Sequence, residues 1–335
     1  MANKSFPYEI KQMNVSQDEI GQKYPGLVSV GPKGFVFPEN YRNYAEKYYN
    51  LEVRPSDVFV FSFPRSGTTW TQELVWLVVN DLDYKTANKI ALTDRYQFLE
   101  YIHSYTDERK RSLYEQHKND EEKLKLVDVA LQSAVDVLPT LPSPRFIKSH
   151  LPLSLLPPNS LDAKLVYVAR DPRDCIVSYY HFTNSLKLVE PQKDFKVFWN
   201  AIVKNLQPWT PFFENVKEAW EQRHHPNLLF IFYEDLRKDL LSSVRRVCDF
   251  FGKKYSDEQL EKLCDHLRFE NFRKNTSVDL NIMKELGLMS TDKDFVRKGM
   301  SGGWRDYFDE EMTAVTDKWI ADNLRDTDLR FPSMQ

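Results

Sequence analysis

Phe61-Ser-Phe-Pro-Arg-Ser-Gly-Thr-Thr-Trp70 is the stretch that decides the fold of this 335-residue chain. An apolar run over residues 58–61 precedes the turn and a helical run over 72–80 follows it, so the sequence predicts a strand, a tight turn and a helix start. At such a junction, backbone N–H groups without intrahelical partners point at one position, and the helix dipole adds positive charge there. Arg65 and the hydroxyls around Gly67 add donors. The stretch therefore favours an anion with several oxygens, such as a phosphate or sulfate group.

Two other interpretations of this turn compete with the binding of such an anion. The nucleoside-triphosphate P-loop needs Gly-x-x-x-x-Gly-Lys-Ser/Thr. In this chain no Lys follows Gly67, and Ser62 stands where the first Gly would fall. Magnesium-nucleotide binding is therefore disfavoured, while an ordinary strand-to-helix turn rich in Ser and Thr stays open.

The composition indicates a globular protein and excludes several classes of function. Hydrophobic residues make up 41% of the chain and aromatic residues 14%, which is typical of a folded domain with a large core. The net charge is −3 with acidic and basic residues mixed, so no nucleic acid partner is expected. The three cysteines lack ligand-like spacing, and we expect buried thiols and no metal. Without an apolar leader or a membrane-length run, the sequence predicts a cytoplasmic protein that does not insert into membranes.

Four short apolar runs are predicted to be buried parallel strands: Val58–Phe61, Phe146–Lys148, Leu165–Val168 and Leu228–Phe232. Helical patterns over 211–223 and 240–251 separate or follow them, so the sequence predicts an α/β fold in one domain, with a central parallel sheet flanked by helices. We expect residues 1–34 to be peripheral, 105–137 to form a helical insertion, and 275–303 to form a long ordered loop.

Two further groups of polar residues follow predicted strands, at the sheet edge where ligands bind in such folds. Lys148 and His150 lie two residues apart, so their side chains share one side of the strand. A histidine there is a candidate general base and a lysine can neutralise developing charge, although a purely structural histidine is the other interpretation. Arg170 and Ser178 are a second pair of anion donors, unless Arg170 pairs locally with Asp174.

A third group lies near the C-terminus. Arg297 and Lys298 precede Gly299, and two cations beside glycines are a candidate anion clamp. A solvated basic loop is the alternative.

These segments in order resemble the cytosolic sulfotransferases, and their overall character is most similar to the insect branch. The resemblance covers about residues 35–325 and is carried by Phe-Pro-Arg-Ser-Gly-Thr-Thr-Trp (63–70), Ile-Lys-Ser-His-Leu-Pro (147–152), Ala-Arg-Asp-Pro-Arg-Asp (169–174), Ser-Tyr-Tyr-His-Phe (178–182), Phe-Tyr-Glu-Asp-Leu (232–236) and Arg-Lys-Gly-Met-Ser-Gly-Gly-Trp (297–304). Each segment alone is moderately specific, whereas the ordered set is highly specific.

The resemblance implies the sulfotransferase fold, which is similar to that of P-loop kinases, and 3'-phosphoadenosine-5'-phosphosulfate (PAPS) as donor with PAP as product and no metal. It implies three groups of donor-binding residues: Arg65, Ser66, Gly67, Thr68 and Thr69 at the phosphosulfate, Trp70, Tyr233 and Phe269 around adenine, and Arg170, Ser178, Arg297, Lys298 and Gly299 at the 3'-phosphate. It implies His150 as general base, with Lys148 and Arg65 at the transferring group.

The chain departs from the family pattern at several positions. The family usually has Lys where this chain has Arg65, and often has Thr where it has Leu267. The family's short dimerisation segment, which follows Trp304, has lost key positions over 305–314, so the oligomeric state stays open. The segment between Phe98 and Lys148 is longer than in vertebrate relatives and could cover the acceptor pocket.

The acceptor is expected to be a small hydroxylated molecule. Phe98 and Phe182 match pocket positions of the family, with His150 at the reacting hydroxyl, while Phe35 and Phe37 are weaker candidates. An aromatic pocket suits an apolar alcohol or phenol. The alternatives are an enzyme similar to retinol dehydratase that uses transient sulfation of an allylic alcohol, a non-enzymatic PAPS- or PAP-binding protein, and a nucleotide kinase.

Overall fold

The computed structural model describes residues 5–21, 24–187, 191–192, 194–291 and 299–334. Within these ranges the chain forms eight strands, which are in chain order β1 (Ile10–Met13), β2 (Leu27–Val30), β3 (Phe35–Pro38), β4 (Val58–Phe61), β5 (Gln97–Phe98), β6 (Phe146–Ser149), β7 (Lys164–Ala169) and β8 (Leu228–Phe232).

The same residues form seventeen α helices: α1 (Gln17–Ile20), α2 (Ala45–Tyr49), α3 (Thr68–Val79), α4 (Tyr84–Lys89), α5 (Leu92–Arg95), α6 (Asp107–His117), α7 (Glu121–Ala130), α8 (Ala134–Val137), α9 (Pro172–Thr183), α10 (Phe195–Val203), α11 (Phe212–Glu221), α12 (Tyr233–Lys238), α13 (Leu240–Phe250), α14 (Asp257–Leu267), α15 (Phe269–Phe272), α16 (Asn281–Glu285) and α17 (Glu310–Asn323). Short 3-10 helices connect several of them, at Glu39–Asn43, Tyr101–Ser104, Leu138–Thr140, Leu153–Leu155, Ser160–Asp162, Thr276–Val278, Gly303–Asp306 and Pro332–Met334.

Five strands form a parallel sheet in the order β5-β6-β4-β7-β8. The predicted α/β class and its four strands are confirmed, and no predicted strand end differs from the observed end by more than one residue. The two-residue β5 is too short to leave a periodic pattern. The antiparallel sheet β1-β2-β3 was also missed, although it uses residues 10–38, part of which lies in the N-terminal stretch expected to be peripheral.

Side chains alternate across the sheet and divide the core between its two faces. In β4, Phe59 and Phe61 face a cluster that also contains residues of the N-terminal antiparallel sheet. Val58 and Val60 face a second cluster, formed mainly with α3, α13 and α14. All four side chains are buried, so β4 is covered on both faces, as expected for a central parallel strand.

The strand order places a topological switch point at β4. The chain passes from β4 to β5 and β6 on one side, then crosses to β7 and β8 on the other. Phe61 is in register with Ser149 of β6 and Tyr167 of β7, so β4 and β6 end level and β7 continues two residues further, to Ala169. Ligands of open α/β sheets bind at such a position, which in this chain lies beside the turn at 64–69.

The expected helical insertion contains α6, α7 and α8. Leu113 and Val127, on α6 and α7, form a third apolar cluster together with Met283, Leu286 and neighbouring residues. The long loop predicted over 275–303 is therefore partly wrong, because residues 281–285 are helical and pack against the insertion. Residues 292–298 of that stretch lie outside the described residues.

A buried ion pair at the amino ends of β4 and β6 offers a test of this arrangement. Arg145 is 1% exposed, its Nε donates to Asp57 Oδ1 at 2.8 Å, and its Nη1 donates to the Leu138 carbonyl at 3.0 Å. Arg145→Met leaves the Asp57 carboxylate buried without its cation, which we expect to lower the free energy of unfolding by about 3–5 kcal/mol. Denaturant unfolding measures this loss.

The matched control is Arg245→Met, which breaks the exposed Arg245–Asp257 pair at 2.7 Å. Exposed pairs contribute about 1 kcal/mol or less. Equal losses in the two variants would contradict the assignment of the Arg145 pair as a structural anchor.

Candidate functional site

The turn after β4 has a backbone that few residues tolerate. Arg65 and Gly67 have φ values of +69° and +105°, and α3 begins at the next residue, Thr68. A Cβ on residue 67 would lie 2.6 Å from Cδ2 of Tyr233, which no real structure accepts without a shift. Gly67 is therefore required both by its conformation and by the close approach of the Tyr233 ring.

The hydroxyls of this turn do not all face the same way. Thr68 Oγ1 is 2.6 Å from Ser62 Oγ, and both Thr68 and Thr69 line a large cavity. Ser66 is buried, its Oγ lies 3.4 Å from Sγ of Cys175, and it is absent from the cavity wall. The backbone N–H of Ser66 donates to the Phe63 carbonyl at 3.3 Å, so the predicted role of Ser66 in ligand binding stays a prediction.

Arg65 is held on the side of α9. Its Nε donates to Ser178 Oγ at 3.2 Å, and its guanidinium lies 4.9 Å from the ring centroid of Phe182. The structure thus brings together three predicted site residues from two separate segments.

Arg170, directly after β7, contacts the same turn. Its Nη1 donates to the Arg65 carbonyl at 3.3 Å and its Nη2 to the Met300 carbonyl at 2.8 Å, while its Nε is buried without a hydrogen-bond partner in the described chain. Asp174 accepts instead from the backbone N–H groups of Gly302 and Trp304. A local Arg170–Asp174 pair is therefore not the arrangement found.

Three aromatic rings surround the outer part of this site, as the resemblance implies. Trp70 and Tyr233 meet edge to face at 5.7 Å between centroids, and Phe269 lines the same cavity. Trp70 Nε1 donates to the backbone carbonyl of Leu267 at 2.8 Å. A main-chain group therefore orients the indole, and the loss of a Thr hydroxyl at position 267 leaves that contact intact.

The C-terminal clamp is described only in part. Gly299 has φ +58°, and a Cβ there would lie 2.0 Å from Cε2 of Phe269, so this segment lies directly on the Phe269 ring. Arg297 and Lys298 lie outside the described residues. Their role at an anion stays a prediction.

His150, just beyond β6, is buried and neutral. Its Nδ1 lies 2.8 Å from the carbonyl oxygen of Ser62, and since a carbonyl only accepts, Nδ1 carries the proton. Burial, reinforced by the charge of Lys148, holds the pKa of His150 well below 6.5. The Nε2 lone pair is therefore available to accept a proton at neutral pH.

Glu100, which sequence reasoning missed, holds the backbone of this histidine. Its Oε1 accepts from the His150 N–H at 2.5 Å and its Oε2 from the Ser149 hydroxyl at 2.8 Å. Burial raises the pKa of Glu100 to about 7, although both hydrogen bonds and the charge of Lys148 oppose the shift. The one sequence signal was an acidic residue inside the otherwise apolar and aromatic run 98–102.

Lys148, on β6, lies over the ring of Phe98. Its Nζ lies 4.0 Å from the ring centroid of Phe98, and that ring meets the His150 imidazole edge to face at 5.2 Å. Burial lowers the pKa of Lys148 to about 8, with Glu100 opposing the shift and Arg65 adding to it. A cation and a neutral base are thus placed around one aromatic ring.

One cavity of about 890 Å³ connects all of these groups. Its walls include residues 64, 65 and 67–70 of the turn, Lys148, His150, Arg170, Ser178, Tyr233, Phe269 and Gly299. They continue past Phe98 and Phe182 to residues of α6, α7 and α16. Phe35 and Phe37 belong instead to the core.

Neither a metal cluster nor a membrane-spanning helix is found among the described residues. Within the part of the chain that the structure describes, no three His, Cys, Asp or Glu side chains are grouped so as to hold a metal ion. Among the described helices, none combines the length and apolar character that crossing a bilayer requires.

Comparison with known proteins identifies the family. The sulfotransferase domain family matches residues 55–328. The chain belongs to the sulfotransferase family. It is 32% identical over 306 residues to the luciferin sulfotransferase of Photinus pyralis, covering 89% of this chain and 79% of that protein, which agrees with the insect resemblance. The predicted enzyme class is thereby confirmed.

Two solved structures are similar to this sulfotransferase over nearly its whole length. A retinol dehydratase in complex with androsterone and inactive cofactor PAP is 44% identical with a TM-score of 0.90, covering 98% of this chain and 99% of that one. A retinol dehydratase in a complex with retinol and PAP is 45% identical with a TM-score of 0.89 and the same coverage. Both therefore share the fold of this chain.

The glycine in the turn after β4 yields a direct test. Gly67→Ala combines an unfavourable left-handed backbone with a clash against Tyr233, and we expect a loss of roughly 2–5 kcal/mol in unfolding free energy. Gly252→Ala is the matched control, because Gly252 has φ +66° with nothing within 4 Å of a new Cβ, so only the backbone strain applies. Chemical denaturation of both variants measures the difference. Equal losses would show that Tyr233 yields to the new methyl group.

Proposed function

We propose that this protein transfers the sulfuryl group of PAPS to the hydroxyl of a small, extended apolar alcohol or phenol. The observation that carries the proposal is the single cavity that joins the turn after β4, the Lys148/His150 pair and an aromatic pocket. A donor and an acceptor bound at its two ends would meet beside His150. Family membership supports sulfuryl transfer as the reaction type.

The donor assignment rests on two groups of anion donors that meet at Arg65, with aromatic rings lining the same cavity. The turn at 65–69 supplies helix-start N–H groups and Arg65 for the phosphosulfate, and Trp70, Tyr233 and Phe269 would enclose adenine. Arg170, Ser178 and the segment around Gly299 would bind the 3'-phosphate, together with Arg297 and Lys298. The unpartnered Nε of Arg170 and the PAP in both similar solved structures support this assignment.

In the proposed sulfuryl transfer, each side chain near the reacting atoms has one role. His150 Nε2 takes the proton of the acceptor hydroxyl as its oxygen bonds to sulfur, and the sulfur–oxygen bond to the phosphate breaks so that PAP leaves with the electron pair. Lys148 and Arg65 supply positive charge where the bridging oxygen becomes negative. Positioning of both substrates provides the rest of the rate enhancement.

A second candidate is dehydration through a transient sulfate ester. It is favoured by α6 and α7, which cover the acceptor end of the cavity, and by the similarity to two retinol dehydratase structures. For an allylic acceptor, the carbon–oxygen bond of the ester would break, sulfate would leave with the electron pair, and loss of a carbon-bound proton to a base would create a new double bond. A cytoplasmic location remains a prediction for either function.

Product analysis separates these functions. The protein is incubated with PAPS and a panel of phenols, sterols and allylic terpenoid or retinoid alcohols, and the products are identified by mass spectrometry. A stable sulfate ester supports transfer, whereas free sulfate and a dehydrated hydrocarbon support the second candidate. PAP binding by calorimetry with no product from any acceptor would favour a non-enzymatic binding protein, and magnesium-dependent ATP binding would favour a kinase.

The role of His150 is tested by His150→Ala. We expect kcat to fall by about 10²–10⁴-fold, because the positioned base is lost, while calorimetric PAP binding is retained. His224→Ala, at an exposed histidine, is the control and should keep full activity. An active His150→Ala enzyme would refute the general-base assignment.

The pH profile tests Lys148. With its pKa lowered to about 8, the free enzyme loses the Lys148 charge as pH rises through 8, so kcat/KM for an alcohol acceptor should decline there. The pKa of His150 lies well below 6.5, so protonation of this base should not reduce activity between pH 6.5 and 8. Lys148→Arg keeps the charge at every pH and should move the alkaline decline to higher pH. An unchanged alkaline decline in this variant would assign it to another group.

A further inference from the structure

Two polar side chains in the acceptor half of the cavity are not explained by the proposed reaction. His103 and Trp209 both line the cavity. Both ring nitrogens of His103 and Nε1 of Trp209 are buried and have no hydrogen-bond partner within the described ranges. Leaving a buried polar atom without a hydrogen bond costs roughly 1–3 kcal/mol, so we expect a hydrogen-bond partner for these three nitrogens.

His103 lies in an aromatic environment behind the reacting groups. It belongs to the 3-10 helix Tyr101–Ser104, is 0% exposed, and has the rings of Phe37 and Tyr41 at 5.9 and 5.5 Å between centroids. Burial lowers the pKa of His103 to about 3, so the ring is neutral and offers one donor and one acceptor. No carboxylate is within hydrogen-bond distance among the described residues.

Trp209 connects this histidine to the reaction centre. Its ring centroid is 5.9 Å from that of His103 and 6.2 Å from that of His150, so both imidazoles border the same indole. Trp209 has φ +67°, which is unfavourable for a bulky residue, and its backbone N–H donates to the Val36 carbonyl at 2.7 Å. The chain holds the indole in place at some cost in backbone strain.

We propose that His103 and Trp209 form a second polar subsite, which binds a second oxygen of the acceptor while its reacting hydroxyl lies at His150. Together they carry two N–H donors and one acceptor nitrogen, all three buried in the wall of the cavity, and this set suits a hydroxyl or a carbonyl group that reaches into the wall. The preferred acceptors are then apolar molecules with two oxygens, such as diols and hydroxyketones, and not simple alcohols. This inference rests on the proposed sulfuryl transfer, because that reaction defines which hydroxyl occupies His150.

The competing occupant of these nitrogens is an ordered internal water molecule, which would leave acceptor choice unaffected. Selectivity therefore separates the two cases. The test compares pairs of acceptors of the same carbon skeleton, with and without the second oxygen, on the full-length wild-type protein and on His103→Phe and Trp209→Phe. Trp209→Phe keeps an aromatic ring and removes the indole N–H.

The wild type should prefer the two-oxygen acceptor by about tenfold or more in kcat/KM, since a site built to hydrogen-bond a group discriminates against analogues that lack it. Both variants should reduce that ratio toward one. His117→Phe is the matched control, because His117 is also buried with an unpartnered Nε2 within the described chain but does not line the cavity, and this variant should keep the wild-type ratio.

The same acceptor pairs are titrated into the PAP-bound proteins by calorimetry, so that binding selectivity is measured even if no acceptor turns over. Loss of the ratio in His103→Phe and Trp209→Phe supports the subsite. A wild-type ratio near one, or a ratio that both variants retain, overturns it. Absence of turnover with a preserved binding ratio contradicts the proposed reaction and leaves the subsite supported.

Discussion

The Glu100 carboxylate is the contact on which the reacting end of the cavity depends. By accepting from the His150 backbone N–H and the Ser149 hydroxyl, it fixes the chain as it leaves β6. The other side of the same segment is held by Asn215, whose Nδ2 donates to the His150 carbonyl at 3.2 Å. The backbone of His150 is therefore fixed at both its N–H and its C=O. The hydrogen bond to the Ser62 carbonyl fixes the tautomer of the imidazole. Position and protonation state are set by separate contacts, so neither relies on the bound substrates.

The electrostatic design of the site follows from its burial. Removing Lys148, His150 and Glu100 from water disfavours the charged form of each, so burial is the first cause of all three pKa shifts. The raised pKa of Glu100 means that the folded chain disfavours ionisation of this carboxyl group. The protonated group therefore stabilises the folded chain fully at acid pH, and this contribution is lost as pH rises through about 7. Lys148 and Glu100 support each other's charged forms. An anionic donor would add to the support for the Lys148 charge.

Much of the fold, and the position of the turn after β4 at the cavity, could be predicted from sequence, because both depend on local signals. Val58–Phe61, the glycine turn and the start of α3 are contiguous, and each has a recognisable pattern. Glu100, the Leu267 carbonyl and the 103–209 pair could not be predicted in this way. They act through contacts between distant segments, and a main-chain carbonyl has no residue type to recognise. The sequence also could not predict whether the Ser66 side chain points into the cavity or into the core, since a serine in such a turn tolerates either orientation.

The packing of α6, α7 and α16 has a consequence for access to the cavity that these helices line. These helices share an apolar cluster of their own, separate from the two cores that cover the sheet. Regions with few buried contacts open at a lower free energy than the core of the same domain. We therefore expect these three helices to open at a lower free energy than the sheet, which would give the proposed apolar acceptor a route into the cavity.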